Sequence, residues 1–362
     1  MDKYPLLVKL TVRFAFTFLV VATLIMARQL LVPLFLSVML AYLFYPSAHW
    51  LEKQGIPRIA TNLIVIVSAL IVVAGFIYGS VMLYNSFAQD LPDIKSQFEA
   101  NFDRLKETLA LALGMSKESV EGALKSFASG GKYLADALTA TTRTIINIGL
   151  LPVYTFLILF YRDKFREFVS MQIKSDKEEI AQNILDQAAH VVPKYLKGLL
   201  LVCFILVGLN SLGFYLIGVE FALMFGIIAA LFNLIPYLGT VLGYGFVFIF
   251  VLGTQSPSVA FSVCIQFFIV QFIENNILTP NITGSYVNIN PLVIIPSLIA
   301  AGMIWGLPGM LIIIPYIGLF KIACENIDEL KPIGFLLGTK GTKRHSITIK
   351  SLQKRFGWLE ED

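Results

Sequence analysis

From Gly198 to Phe320 the chain runs 123 residues with two charged side chains, Glu220 and Glu274, and no Lys, Arg or His. A water-facing surface needs charge, and soluble domains carry about a quarter charged residues. A stretch this long and this poor in charge therefore has hydrocarbon as its solvent. Across all 362 residues 57% are hydrophobic and 14% charged. The same conclusion thus extends to the whole chain, which reads as an integral membrane protein. The three cysteines, Cys203, Cys264 and Cys324, lie in or beside apolar stretches without motif spacing, so they read as small apolar residues.

A helix needs about 20 apolar residues to cross a bilayer. Thr11–Ala27, Leu30–Pro46, Ala60–Tyr84, Thr144–Tyr161, Gly198–Gly218 and Pro257–Leu278 meet that need. Lys9 precedes the first and Arg13 lies at its start, but no small-residue cleavage site follows, so it reads as a span and not a signal peptide. Basic residues gather in Arg162–Lys197 and in the tail from Lys321. The positive-inside tendency places both in the cytoplasm, with the N-terminus, Lys53 and Arg58. Asn85–Arg143 then falls outside. Its apolar residues Phe87, Leu91, Ile94, Phe98, Phe102, Leu105 and Leu109 recur at helical spacing, which predicts an external helical insertion. Ile180–Tyr195 is amphipathic too, and is expected as an interfacial linker helix. The basic tail either contacts anionic lipid or is simply solvated.

Two segments in the charge-poor region are too long for a simple span and broken in the middle. Phe221–Leu252 breaks at Asn233-Leu-Ile-Pro236-Tyr-Leu-Gly239, and Pro291–Phe320 breaks at Trp305-Gly306-Leu-Pro308-Gly309. Pro removes a backbone donor and Gly lets the chain reverse. Each half is about 15 residues, roughly 22 Å at 1.5 Å per residue, which is too short to cross. The predicted fold is an all-α polytopic membrane protein of about six full spans plus two broken, re-entrant helical hairpins, with the external insertion. Two kinked spans are the alternative, and both versions leave the C-terminus inside. Each broken segment follows a full span, as in an inverted-repeat transporter whose site lies between the hairpin tips. The tips are marked by Pro236, Gly239 and Thr240 in the first segment and Gly306, Pro308 and Gly309 in the second.

Glu274 stands in "QFIENNILTP", Gln271–Pro280. A carboxylate within a span is costly and so a candidate functional group. On a helix Gln271, Glu274 and Asn275 share one face. With Asn276, and with Asn233, Asn210 and Gln266 from neighbouring segments, they offer carbonyl oxygens and one titratable group. Such a set suits a proton or monovalent cation, and the tip dipoles suit an anionic or hydroxylated solute. The bland alternative is a Glu274 at the membrane end that only staples helices. Glu220 reads as interfacial.

"FNLIPYLG" (Phe232–Gly239), "QFIENNILTPNITG" (Gln271–Gly284), "NPLVII" (Asn290–Ile295) and "GLPGMLIIIP" (Gly306–Pro315), in this order, resemble the autoinducer-2 exporter-like family of bacterial transporters. The resemblance covers nearly the whole chain. It implies a multi-pass inner-membrane transporter that forms oligomers. Some members are proposed to export autoinducer-2, others to exchange sodium or lithium for protons. The matching positions are Pro236, Gly239, Gln271, Glu274, Asn275, Pro280, Gly284, Pro291, Gly306 and Gly309. Thr240 stands where the family often has Pro, and Asn290 where it often has His.

The expected organisation is a three-span segment (1–84), the external insertion (85–143), a fourth span with its linker (144–197), a transport core (198–322) and a basic tail (323–362). No Walker-type phosphate loop occurs, nor HExxH or G-x-S-x-G, and the histidines, His49, His190 and His345, lie outside the core. The expectation is therefore a secondary transporter and not an enzyme. It has no cofactor, no metal and no nucleic-acid partner. Its partners are membrane lipid, a small solute or monovalent cation with a proton, and further copies of itself. The other class left open is a passive channel or a membrane scaffold.

Overall fold

A computed structural model describes residues 5–90, 149–172, 178–235, 238–283 and 288–339, together with 92–94, 96–97, 101 and 122. Most of the 85–143 insertion, expected as external and helical, and the tail from residue 340 lie outside the described residues. The described chain is helical: α1 (Leu6–Met26), α2 (Arg28–Lys53), α3 (Arg58–Gln89), α4 (Leu150–Phe160), α5 (Arg162–Gln172), α6 (Glu178–Ile217), α7 (Ala222–Phe232), α8 (Leu238–Thr254), α9 (Pro257–Ile273), a π-helix (Glu274–Thr283), α10 (Pro291–Trp305), α11 (Leu307–Asn326) and α12 (Lys331–Leu337). Six helices among the described residues are long and apolar enough to cross a membrane. Side chains such as Phe14, Phe18, Val72 and Phe204 stand exposed on them, as lipid-facing residues do. The chain is an all-α polytopic membrane protein.

Helix α6 organises the rest. Its second half packs on α7, α8 and α9 around Leu206, Phe214, Phe225, Val247 and Val263. Its first half packs Val192 against Met39 of α2 and Ile312 of α11. The amphipathic stretch expected as an interfacial linker runs straight into the span, as one 40-residue helix. Pro193 sits inside it. Ala181, Ala188 and Val192 of that half are buried against protein.

Both broken segments reverse direction. Gly243 of α8 lies against Ala229 and Phe232 of α7. Residues 229 and 243 would stand about 21 Å apart along one continuous helix, so α7 and α8 form a hairpin and not a kinked span. Likewise Gly309 of α11 lies against Ala301 and Trp305 of α10. Asn290 caps α10 by accepting from the Leu292 amide at 2.9 Å, and Pro291 occupies the first turn, where no N–H is needed. Helix α11 is itself 20 residues long, because it continues past Phe320 through a pair between the buried Lys321 and Glu325, 3.3 Å apart.

The bundle has two recognisable ends. At one, Arg58 bonds Asp163 (2.6 Å) and the Phe160 carbonyl, Glu52 pairs with Arg162, and the Arg162 guanidinium lies 5.1 Å from the Tyr45 ring centroid. Arg166 and Asp186 tie α5 to α6 at that end. At the other, Phe87 of α3 meets Phe221 and Phe250. The first hairpin has its outer ends at the Phe87 end. The second has one outer end beside the start of α6, where Gln187 donates to Asn326 (3.4 Å).

Candidate functional site

The first hairpin turns through hydrogen bonds of its own backbone. The Leu234 amide donates to Leu231, that of Ile235 to Phe232, and that of Gly239 to Ile235. Glycine is required at 239, since a Cβ there would run into the Phe232 carbonyl. This close approach carries Thr240, the next residue, back over Asn233. The Thr240 hydroxyl donates to Asn233 Oδ1 at 2.7 Å. An amide whose oxygen is engaged must present its nitrogen elsewhere, and Asn233 Nδ2 donates to Glu274 Oε1, also at 2.7 Å. The hairpin tip is thereby latched to the acid by two aligned hydrogen bonds. Among the described residues the acid's partner is a neutral amide and not a cation.

Glu274 opens the π-helix, and the local sequence explains why the helix widens there. Asn276 Nδ2 donates to the Phe272 carbonyl and Asn281 Nδ2 to that of Ile277, each four residues back. Those carbonyls are the ones an α-helical backbone would use, so the side chains compete for the ladder. Pro280 supplies no donor at all. Wide π-turns recur at functional positions.

A second polar group lies deeper. Tyr244 donates to Asn210 Oδ1 at 2.6 Å, and Gln266 Nε2 to the Asn210 carbonyl at 3.1 Å. Asn210 and Gln266 are 2% and 6% exposed, so these bonds form away from water and are correspondingly strong.

The structure thus brings Asn233, Thr240 and Glu274 together, and places Asn210 in a neighbouring cluster. Gln271 is half-buried, with a buried carbonyl oxygen that has no partner. Asn275 and Asn276 are exposed, and Asn276 is folded onto its own helix. Pro236 and Gly284 lie outside the described residues. The second tip turns at Gly306, whose φ of 67° and ψ of −147° only glycine adopts readily. Pro308 follows in the first turn of α11, where its missing N–H costs nothing. This tip docks on the N-terminal helices: Trp305 Nε1 donates to the Leu24 carbonyl and packs on Phe35, and Tyr316 donates to the Phe35 carbonyl. Among the described residues no hydrogen bond joins it to Glu274. Glu220 is exposed in the turn between α6 and α7. Tyr244 is the participant that sequence reading missed; its signal was a tyrosine between two glycines, Gly243 and Gly245, in an otherwise apolar helix.

Comparison with known proteins bears on this arrangement. The model of the AI-2E family transporter matches residues 14–329. Three relatives, each named "Putative transport protein", are YueF of Bacillus subtilis, YrrI of the same organism and YhhT of Escherichia coli K12. YueF is 28% identical, over 82% of this chain and 84% of its own. YrrI is 26% identical, over 82% and 86%. YhhT is 26% identical, over 86% and 89%. The family match takes in both hairpins, the π-helix and the Thr240–Asn233–Glu274 group. The chain belongs to the AI-2E family and is a multi-pass membrane transport protein.

Proposed function

We propose that this protein is a secondary transporter whose working centre is Glu274, latched to the first hairpin tip through Asn233. The observation that carries the reading is the Thr240–Asn233–Glu274 relay. The ionised carboxylate accepts strongly from the Asn233 amide, because charge-assisted hydrogen bonds are the stronger kind. A proton or a monovalent cation on Glu274 weakens that acceptor and frees the tip. Occupancy of one carboxylate then decides whether a movable hairpin is held or released, which is the coupling a carrier needs. The cargo is a monovalent cation such as sodium or lithium exchanged for protons, or a small polar solute such as autoinducer-2.

In this reading the hairpins are re-entrant and enter from opposite faces. Support comes from the placement of their outer ends, by Phe87 in one case and by Asn326 in the other. The end carrying Arg58 and Arg162 faces the cytoplasm of the bacterial inner membrane. The family resemblance supports a homo-oligomer.

The test is proton flux into proteoliposomes, read by a trapped pH dye, with sodium, lithium and potassium added in turn. Wild type is expected to show saturable, cation-dependent flux, and Glu274→Gln to lose it. A folded wild type indifferent to every cation rejects exchange and leaves the organic solute. A fully active Glu274→Gln removes Glu274 from the centre.

A further inference from the structure

After α11 the chain turns back on itself. Asn326 lies beside Gln187, next in sequence to the exposed Arg166–Asp186 pair, so this turn is at a water end of the bundle. A Cβ on Gly334 would stand 3.1 Å from Glu325, and one on Gly338 3.4 Å from the Lys321 stem. Steps forward along α12 thus match steps back along α11, and the two helices are antiparallel. Helix α12 therefore runs from the water end about 10 Å back toward the apolar part of the bundle. Its far end is fixed there: Gly338 bridges to Ile289, and the Asn290 amide donates to the Leu337 carbonyl at 2.8 Å.

The glycines take the face toward α11, and both are buried. The other face is apolar and open: Ile333, Phe335 and Leu336 are 41%, 62% and 64% exposed. Water is a poor cover for three large apolar side chains on so short a helix. Lys331 and Asp328, 2.6 Å apart, mark the wet end of the same helix. A lipid leaflet fits this gradient, since interfacial helices bury their apolar face about 5–10 Å into the boundary of headgroups and acyl chains. The sequence adds the charge of that leaflet. Residues 339–359 hold Lys340, Lys343, Arg344, Lys350, Lys354 and Arg355, and no Asp or Glu. The first of these follows closely on the anchored Gly338, within reach of headgroups.

We infer that α12 and the basic stretch after it form a docking surface for an anionic phospholipid leaflet, with Phe335 and Leu336 among the acyl chains and Lys340, Lys343 and Arg344 on the lipid phosphates. Each cation near such a surface adds an attraction that salt screens. Through the Ile289–Gly338 bridge the surface holds the outer end of the second hairpin at the membrane boundary. It is separate from Glu274 and does not depend on what is carried.

The experiment places the full chain, in a background lacking Cys203, Cys264 and Cys324, in nanodiscs of phosphatidylcholine or of equal parts phosphatidylcholine and phosphatidylglycerol. Nitroxide labels are put on Phe335→Cys and, separately, on Thr342→Cys. At 335, collisions with lipid-soluble oxygen are expected to exceed those with a water-soluble nickel chelate in both lipids. At 342, the ratio of immobilised to free label is expected to rise about tenfold with phosphatidylglycerol, as the attraction of a few cations allows. High salt reverses the rise, and Lys343→Gln with Arg344→Gln removes most of it. Nickel reaching 335 as freely as it reaches a label on Lys53→Cys, or a ratio at 342 indifferent to phosphatidylglycerol, overturns the inference. Phe335 is exposed, so its label leaves the packing intact, and the comparison of the two lipids decides even if the double variant does not fold.

Discussion

Asn233 and Glu274 stand 41 positions apart and meet in a 2.7 Å hydrogen bond. One closes the first hairpin; the other opens the π-helix. Thr240 holds the amide in the orientation that makes the contact possible. Removing Thr240's hydroxyl should therefore matter through Asn233. Thr240→Val and Asn233→Ala are each expected to slow transport about tenfold, and the double variant to be little worse than either, leaving a coupling of about 1 kcal/mol. Initial rates in proteoliposomes measure it. Full additivity of the two variants would mean the relay is not a unit.

Gly239 touches the Phe232 carbonyl so closely that no side chain fits, whereas Gly245 on the same helix has open space around its Cα. Gly239→Ala is expected to lower stability by about 1–3 kcal/mol through forced displacement of the tip. Gly245→Ala should stay within about 0.5 kcal/mol. Thermal unfolding in detergent compares them, and equal midpoints would contradict the tight turn.

At the opposite end from Phe87, Glu52 and Arg162 are both about 15% exposed and paired. Glu52→Leu alone leaves a mostly buried guanidinium short of its partner, at an expected cost of about 3 kcal/mol. Arg162→Leu with Glu52→Leu should recover a large part of that, since no buried charge is stranded. The same unfolding assay measures both, and a double variant that costs the sum of the singles or more refutes the pairing.

Lys53 and Lys164 flank that charge network. Lys53→Cys and Lys164→Cys, in a background lacking Cys203, Cys264 and Cys324, are expected to react with a membrane-impermeant maleimide only from the cytoplasmic side. A cysteine at Gln255, in the turn after α8, should react only from the outside. The reverse pattern would invert the orientation.

Much of the fold was open to reading from composition and punctuation. Charge-free runs of span length located five of the six long apolar helices of the described residues, and the paired Pro/Gly breaks located both turns; the sixth, α11, was read as one short half of a broken segment. Local chemistry suffices for this: hydrocarbon selects apolar helices, and Gly306 with its positive φ stops one wherever it stands. What the apolar face of the 180–195 stretch packs on was not readable, because amphipathicity reports a helix with an apolar face without saying that Met39 of α2 and Ile312 of α11 will meet it.

The candidate site divides in the same way. A lone carboxylate among amides in an apolar span marks Glu274 in the sequence by itself, since such a group is too costly to keep without use. Which amide meets it was not readable. Asn233, Asn275 and Asn276 are equivalent in composition, and helical periodicity favoured Asn275. Side-chain competition for backbone carbonyls widened the helix at Glu274, turned Asn276 onto its own strand of backbone, and left Asn275 exposed. The sequence by itself determined a membrane helix bundle with two interrupted segments and one costly acid. Only the tertiary structure decided that Asn233 holds that acid and that Thr240 orients the amide, because hydrogen-bond partners 41 residues apart are chosen by packing, and packing is a property of the whole chain.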